Sequence, residues 1–145
     1  MILGAALGVI LSASQLHWAQ EAYNIGAPYD LGYTLVALEG QESSYCEFKV
    51  NGWSRGCLGV KRSTARLFDA RVTRLALETD NYRNLLVGLA YLLYCRKHTT
   101  DWRRMVAAYH YGVPVESQMS DAQIDADGYV KAIQRRLKEI EISHE

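Results

Sequence analysis

The sequence predicts a mainly α domain of about six helices, with a small irregular or hairpin-bearing region in its first half. Three observations carry that expectation. Apolar residues recur at three- and four-residue spacing along most of the chain. Ser, Thr and Asp stand ahead of those apolar runs, where a helix needs side-chain oxygens for its first free N–H groups. Between Ser43 and Lys61 the periodicity stops and Gly, Ser and Asn become frequent. The chain has 145 residues, about half of them apolar, which suits one core that folds without a metal or disulfides.

Residues 13–24 read as a helix, broken at Asn24-Ile25-Gly26. Pro28 suits the first turn of a second helix, and Asp30 favours its positive end. Leu31, Leu35 and Leu38, with Val36, give that helix an apolar stripe as far as about Glu42. From Ser43 to Lys61 the chain is irregular, with Asn51-Gly52 as a hairpin-turn signal for a small two-stranded excursion. Ser63 or Thr64 caps a third helix to about Leu77. Asp80 caps a fourth, with Leu85, Leu86, Leu89, Leu92 and Leu93 as a dense apolar face. Thr100 caps a fifth, which ends at Gly112. Residues 113–124 form a linking loop with Pro114, and a final helix spans about Ala126 to Ile142.

The first residues stand apart. Met1 to Gln20 carries no formally charged side chain, and its strongly apolar part is too short for a normal membrane span. Residues 1–13 read as a signal segment, an anchor or a docking helix, with Ser12-Ala13-Ser14 as a small-residue cleavage site and Gly4 and Gly8 at GxxxG spacing. Residues 14–145 form the domain proper.

Sixteen basic residues balance sixteen acidic ones, so no nucleic-acid partner is expected. Residues 61–100 hold eight basic and three acidic side chains, an excess that reads as a solvated helix face. The cysteines Cys46, Cys57 and Cys95 match no metal-ligand spacing, and no metal or cofactor is expected. Cys46 and Cys57 flank a short polar loop and are candidates to pair, while Cys95 lies in an apolar helix. The odd count leaves the redox compartment open. His17, His98 and His144 are expected at the surface.

The stretch ALEGQESSYCEF (Ala37 to Phe48) holds three carboxylates, Glu39, Glu42 and Glu47. Glu42 stands where an apolar helix gives way to a polar loop. A glutamate there is half walled by core and half open to a groove. Desolvation raises a carboxyl pKa, and such a group can donate a proton near neutral pH; the alternative, which the position alone favours, is a solvated glutamate at a helix terminus. Glu39, one turn earlier, is expected to reach solvent. Glu47 in the loop is the alternative second carboxylate. Among the aromatics that could stack on a ligand, Tyr109 ranks ahead of Trp53, Tyr45 and Tyr111.

Further segments follow Glu42-Ser43 in order: SRGCLGVKRSTA (Ser54 to Ala65), NLLVGLAYL (Asn84 to Leu92), AAYHYG (Ala107 to Gly112) and GYVKAI (Gly128 to Ile133). This succession resembles the SLT-type lytic transglycosylases, a lysozyme-like family related to goose-type lysozyme. Their pattern runs Glu-Ser at a helix end, then Gly-Leu-Met-Gln and Thr-Ala, Asn-x-x-x-Gly-x-x-Tyr-Leu, Ala-Tyr-Asn-x-Gly and Tyr-Val. The resemblance covers about residues 15–138. It implies a lysozyme-like fold, with Glu42 matching the single acid and Ser43 the serine after it. Gly56 matches the glycine that opens the loop motif, and Thr64 and Ala65 match the helix start behind it. Tyr109 and Tyr129 match tyrosines near the cleft. Gly59 stands where the family has the loop glutamine, and His110 where it has asparagine, so substrate contacts and pH dependence depart from the family pattern.

The activity the resemblance implies is peptidoglycan cleavage with one carboxyl. Glu42 would protonate the oxygen bridging N-acetylmuramic acid and N-acetylglucosamine. As carboxylate it would then take the proton of the sugar's 6-hydroxyl, closing a 1,6-anhydro ring. Most glycosidases use two carboxylates instead. Ser43, Gly56, Gly59, Tyr109, His110 and Tyr129 are the expected substrate contacts. The glycan strands would be met in the periplasm or cell envelope, reached by export or by delivery from a phage particle. The alternative is a non-catalytic phage virion or secretion-machine protein that keeps the fold and docks on other components through residues 1–13.

Overall fold

The structure, a computed structural model, describes residues 11–142, with side chains as far as residue 140. The N-terminal apolar run up to Ile10 and His144 lie outside the described residues. The described chain is mainly helical, with one small sheet. Helix α1 (Ala13–Gly26) opens on a capping box: Ser12 Oγ accepts from the Gln15 N–H, and Gln15 returns a bond to the Ser12 N–H. Tyr29 closes a short 3₁₀ turn, Ala27–Tyr29, and α2 then runs Gly32–Ser43. Pro28 therefore belongs to the turn, and the second helix starts later than Asp30.

Helix α2 is the centre of the molecule. Every residue from Thr34 to Gly40 is buried, because α1 covers one side of it and the C-terminal helix another. Glu39 is thus fully buried, contrary to the expectation that it reaches solvent. Its position explains this. It follows Leu35 by four residues, inside the stripe that faces the core.

Three two-residue strands follow: β1 (Val50–Asn51), β2 (Ser54–Arg55) and β3 (Val60–Lys61), antiparallel in the order β1-β2-β3. Val50 faces Arg55 and Asn51 faces Ser54, so the Asn51-Gly52 turn is where the sequence placed it. The third strand was not expected. The segment expected as one helix from Ser63 to Leu77 is two, α3 (Arg62–Ala65) and α4 (Arg74–Thr79). The Thr73 side chain caps α4 afresh by accepting from the Ala76 N–H. Asp80 caps α5 (Asn81–Lys97) as expected. Leu86 stays 44% exposed, whereas Leu85, Leu89 and Leu92 are buried.

Asp101, not Thr100, caps α6 (Trp102–Tyr111), which ends at Gly112. The expected loop after it contains α7 (Val113–Glu116), with Pro114 in its first turn, and α8 (Asp121–Ala126), with a Ser120–Gln123 capping box. Arg104 anchors this stretch by donating to Glu116 at 2.7 Å and Asp121 at 2.8 Å. Helix α9 (Gly128–Ile142) packs on α2 and α6. Nine helices thus stand among the described residues where about six were expected. The four extra-short ones, of four to six residues, leave no periodic stripe to read. Among the described residues no helix is long and apolar enough to cross a membrane.

Candidate active site

A cleft of about 540 Å³ opens between the end of α2, the small sheet and the end of α6, and Glu42 lies in its wall. The last turn of α2 brings Glu42 out of the core, leaving it half-buried. Two elements grip its carboxyl. The Tyr129 hydroxyl, at the start of α9, donates to Oε1 at 2.6 Å. Gly59 closes on the other oxygen: a Cβ there would stand 2.4 Å from Oε2. Gly59 also has φ +60°, a conformation in which a side chain is strained. No other residue type fits this position without moving the carboxyl. With Oε1 engaged by Tyr129, Oε2 is the oxygen left to carry a proton.

Burial raises the Glu42 pKa above the ordinary carboxylate value, and the Tyr129 hydrogen bond pulls it partly back. The protonated form is therefore populated at higher pH than for a solvated glutamate. Such a carboxyl can serve as a general acid and, once ionised, as a base.

The cleft wall is built from behind. The Tyr109 hydroxyl donates to the Leu58 carbonyl at 2.6 Å, so the ring lines the cleft while its polar end fixes the segment that carries Gly59. Asn84, fully buried in α5, holds the same segment. Its Oδ1 accepts from the Leu58 N–H at 2.9 Å, and its Nδ2 donates to the Arg55 and Leu77 carbonyls at 2.9 and 3.0 Å. His110 stacks on Tyr129, with ring centres 4.0 Å apart and planes 11° from parallel. Burial lowers the His110 pKa, Asp127 opposes that shift, and Lys61 adds to it. His110 thus covers the ring that holds Glu42.

Compared with known proteins, the chain matches no family model, no curated protein and no solved structure.

Of the seven residues expected as acid or substrate contacts, the fold brings five together: Glu42, Gly59, Tyr109 and His110 line the cleft, and Tyr129 touches the Glu42 carboxyl; Thr64 and Tyr111 line the cleft as well. Two lie behind it. Ser43 is buried, its hydroxyl donating to the Cys57 carbonyl at 2.7 Å and accepting from the Cys46 N–H at 2.8 Å. Its polar atom is consumed by the loop and does not face a ligand. Gly56 is also buried, and a Cβ there would stand 2.0 Å from Asn84 Nδ2 and 2.2 Å from the Leu77 carbonyl. Its closeness is to Asn84, not to a sugar. Glu47 points away from the cleft and accepts from Gln15 at 2.6 Å. Trp53 stands 72% exposed on the hairpin turn with the Arg74 guanidinium over its ring. Tyr45 is buried, and the Tyr111 hydroxyl donates to Asp127.

Asn84 supports the cleft although the sequence marks it only as the first residue of the Asn84 to Leu92 segment. A polar residue on the same face as Leu85, Leu89 and Leu92 was the available signal, since buried amides are hydrogen-bonded.

Proposed function

We propose that the protein is a peptidoglycan-cleaving lytic transglycosylase that breaks the bond between N-acetylmuramic acid and N-acetylglucosamine. The observation that carries this reading is the single half-buried carboxyl of Glu42, in a cleft, held by Tyr129 and pressed by Gly59. The order of motifs from Glu42 to Tyr129 supports the same reading from the sequence.

Glu42 enters the reaction protonated. Oε2 delivers its proton to the bridging oxygen as that bond breaks, and Tyr129 steadies Oε1 as negative charge develops on the carboxyl. The N-acetyl group of the substrate shares the positive charge left on the sugar. The ionised Glu42 then takes the proton of the 6-hydroxyl, whose oxygen closes the anhydro ring. One residue does both proton transfers, so no second carboxylate is required in the cleft. Acid–base help of this kind is worth roughly 10²–10⁴ in rate. Positioning by Gly59, Tyr109 and Tyr129 supplies a further part.

Purified sacculi and mass spectrometry of the released fragments test the proposal. Anhydro-terminated fragments are expected. Reducing-end products instead would mean that water attacks and the protein is a muramidase. No release of fragments at any pH would favour the non-catalytic assembly reading.

A further inference from the structure

Outside the cleft, the turn after α2 gathers a second set of reactive groups. Cys46 and Cys57 are joined by a disulfide. The Glu39 carboxyl lies against it, and one donor atom from each of the three residues falls within 4.8 Å of the other two. Glu39 and Cys57 are 0% exposed and Cys46 is 9% exposed.

Glu39 is the anomaly. Its Oε1 has no hydrogen-bond partner. Its Oε2 faces Cys46 Sγ at 3.7 Å, and a disulfide sulfur has no proton to donate. A buried carboxyl oxygen without a partner is costly, and Oε1 sits in a core with Leu35 and Leu38. The disulfide state leaves Oε1 unpaired.

The backbone around the cluster is held without help from the sulfurs. Ser43 Oγ ties the Cys46 N–H to the Cys57 carbonyl. The Ser44 N–H bonds to the Gly40 carbonyl, and the Glu47 and Phe48 N–H groups bond to that of Ser43. Ser44, Tyr45 and Cys46 all have left-handed φ, between 48° and 68°, which turns the chain back over α2. The two cysteine Cα atoms are 4.3 Å apart. Backbone and Ser43 hydrogen bonds thus join the Cys46 and Cys57 segments to α2 independently of the S–S bond.

We propose that the reduced protein binds one thiophilic divalent cation, Zn²⁺ being the type, through Glu39, Cys46 and Cys57. Two thiolates and one carboxylate from the protein, with the fourth position of a tetrahedral ion filled by water, is a donor set such ions accept. The cation supplies the partner that Glu39 lacks. The spacing of the three residues matches no sequence motif, because the convergence is made by the left-handed turn. Formation of the site needs a reductant. A phosphine takes the oxygen of one water and becomes its oxide, while the disulfide gains two electrons and two protons. The cation then displaces the two thiol protons and the Glu39 carboxyl proton. Disulfide and bound cation exclude each other.

The test uses the full chain carrying Cys95→Ser, reduced with a phosphine, freed of metal and titrated with Co²⁺. The expected result is one Co²⁺ per chain with a near-ultraviolet thiolate-to-cobalt charge-transfer band, displaced by Zn²⁺. The band should be absent from the oxidised protein. Cys46→Ser should abolish it. Glu39→Gln should keep the thiolates but lose affinity by more than about tenfold, the loss that an outer-shell partner alone already causes. Circular dichroism follows the fold: a reduced chain that is ordered with the cation supports the site, whether or not it is ordered without it. A reduced chain that shows no band, a Glu39→Gln chain that binds Co²⁺ as tightly as its parent, or a chain disordered with and without the cation would each overturn the proposal.

Discussion

The Tyr129 hydroxyl donates a 2.6 Å hydrogen bond to Glu42 Oε1, joining the start of the last helix to the end of the second across 87 residues of sequence. That bond favours the ionised carboxyl and opposes the effect of burial. Tyr129→Phe removes the opposing effect and leaves the burial, so the Glu42 pKa rises. A general acid works while protonated, and the alkaline limb of its profile follows its pKa. The pH–rate profile on sacculi should therefore extend to higher pH in Tyr129→Phe, with a lower maximum because Oε1 is no longer held. An alkaline limb that stays in place would separate Tyr129 from the acid.

Gly59 and Gly56 separate catalysis from folding. Both have left-handed φ, +60° and +80°, so alanine at either is strained by about 1–3 kcal/mol. Gly59→Ala also pushes on Glu42 Oε2, and a misplacement of about 1 Å can cost about 10²-fold in rate. Gly56→Ala instead collides with Asn84 and the Leu77 carbonyl, which weakens the support of the whole loop. Urea melts and turnover, measured together, should show Gly59→Ala losing more activity and Gly56→Ala more stability. Wild-type turnover in Gly59→Ala would remove the glycine from the site.

Glu39 makes stability depend on pH. Burial raises its folded-state pKa well above the ordinary 4.5. Below about 4.5 it is protonated in both folded and unfolded chains, and its contribution is complete. As pH rises, the unfolded chain releases this proton and the folded chain keeps it. Stability then falls by up to about 1.4 kcal/mol per pH unit until the folded pKa is passed. In Glu39→Gln that part of the slope disappears. Urea denaturation of the two proteins between about pH 4 and pH 8 should give curves that diverge with rising pH, in the variant's favour. Parallel curves would contradict the burial of a neutral carboxyl.

The cysteines allow a simpler check. With Cys46 and Cys57 joined and Cys95 free and buried, denatured but unreduced protein from an oxidising compartment should show a single titratable thiol. Three would deny the bridge.

The long elements were legible because their signals are local. Asp80 ahead of the Leu85–Leu92 face, and Gly112 after Tyr111, mark helix ends that the structure keeps. The short helices were not. Thr73 and Ser120 are cap signals, but each introduces only six residues, too few for an apolar repeat. In the candidate site, Glu42 stands out by the order of motifs that begins at Glu42-Ser43 rather than by its helix-end position alone, and Gly59 only as a departure from a motif. Its closeness to Glu42 Oε2 depends on a β-strand pairing and on Asn84, which lies 25 residues further along the sequence. For Glu39, position outweighs charge: its four-residue spacing from Leu35 puts it inside the core-facing stripe. Nothing local to Ser43 shows that Cys46 and Cys57 claim its hydroxyl, which takes it out of reach of a ligand.

The central claim is that Glu42 is the acid of a glycan-cleaving site, and Glu42→Gln tests it most directly. Glutamine keeps the side chain's size and its bond from Tyr129, and removes the transferable proton. Mass spectrometry of fragments released from purified sacculi should show 1,6-anhydro ends from the wild-type protein and a fall of roughly 10²–10⁴ in their rate of release by Glu42→Gln, with an unchanged fold by circular dichroism. Release at the wild-type rate by Glu42→Gln would contradict the account.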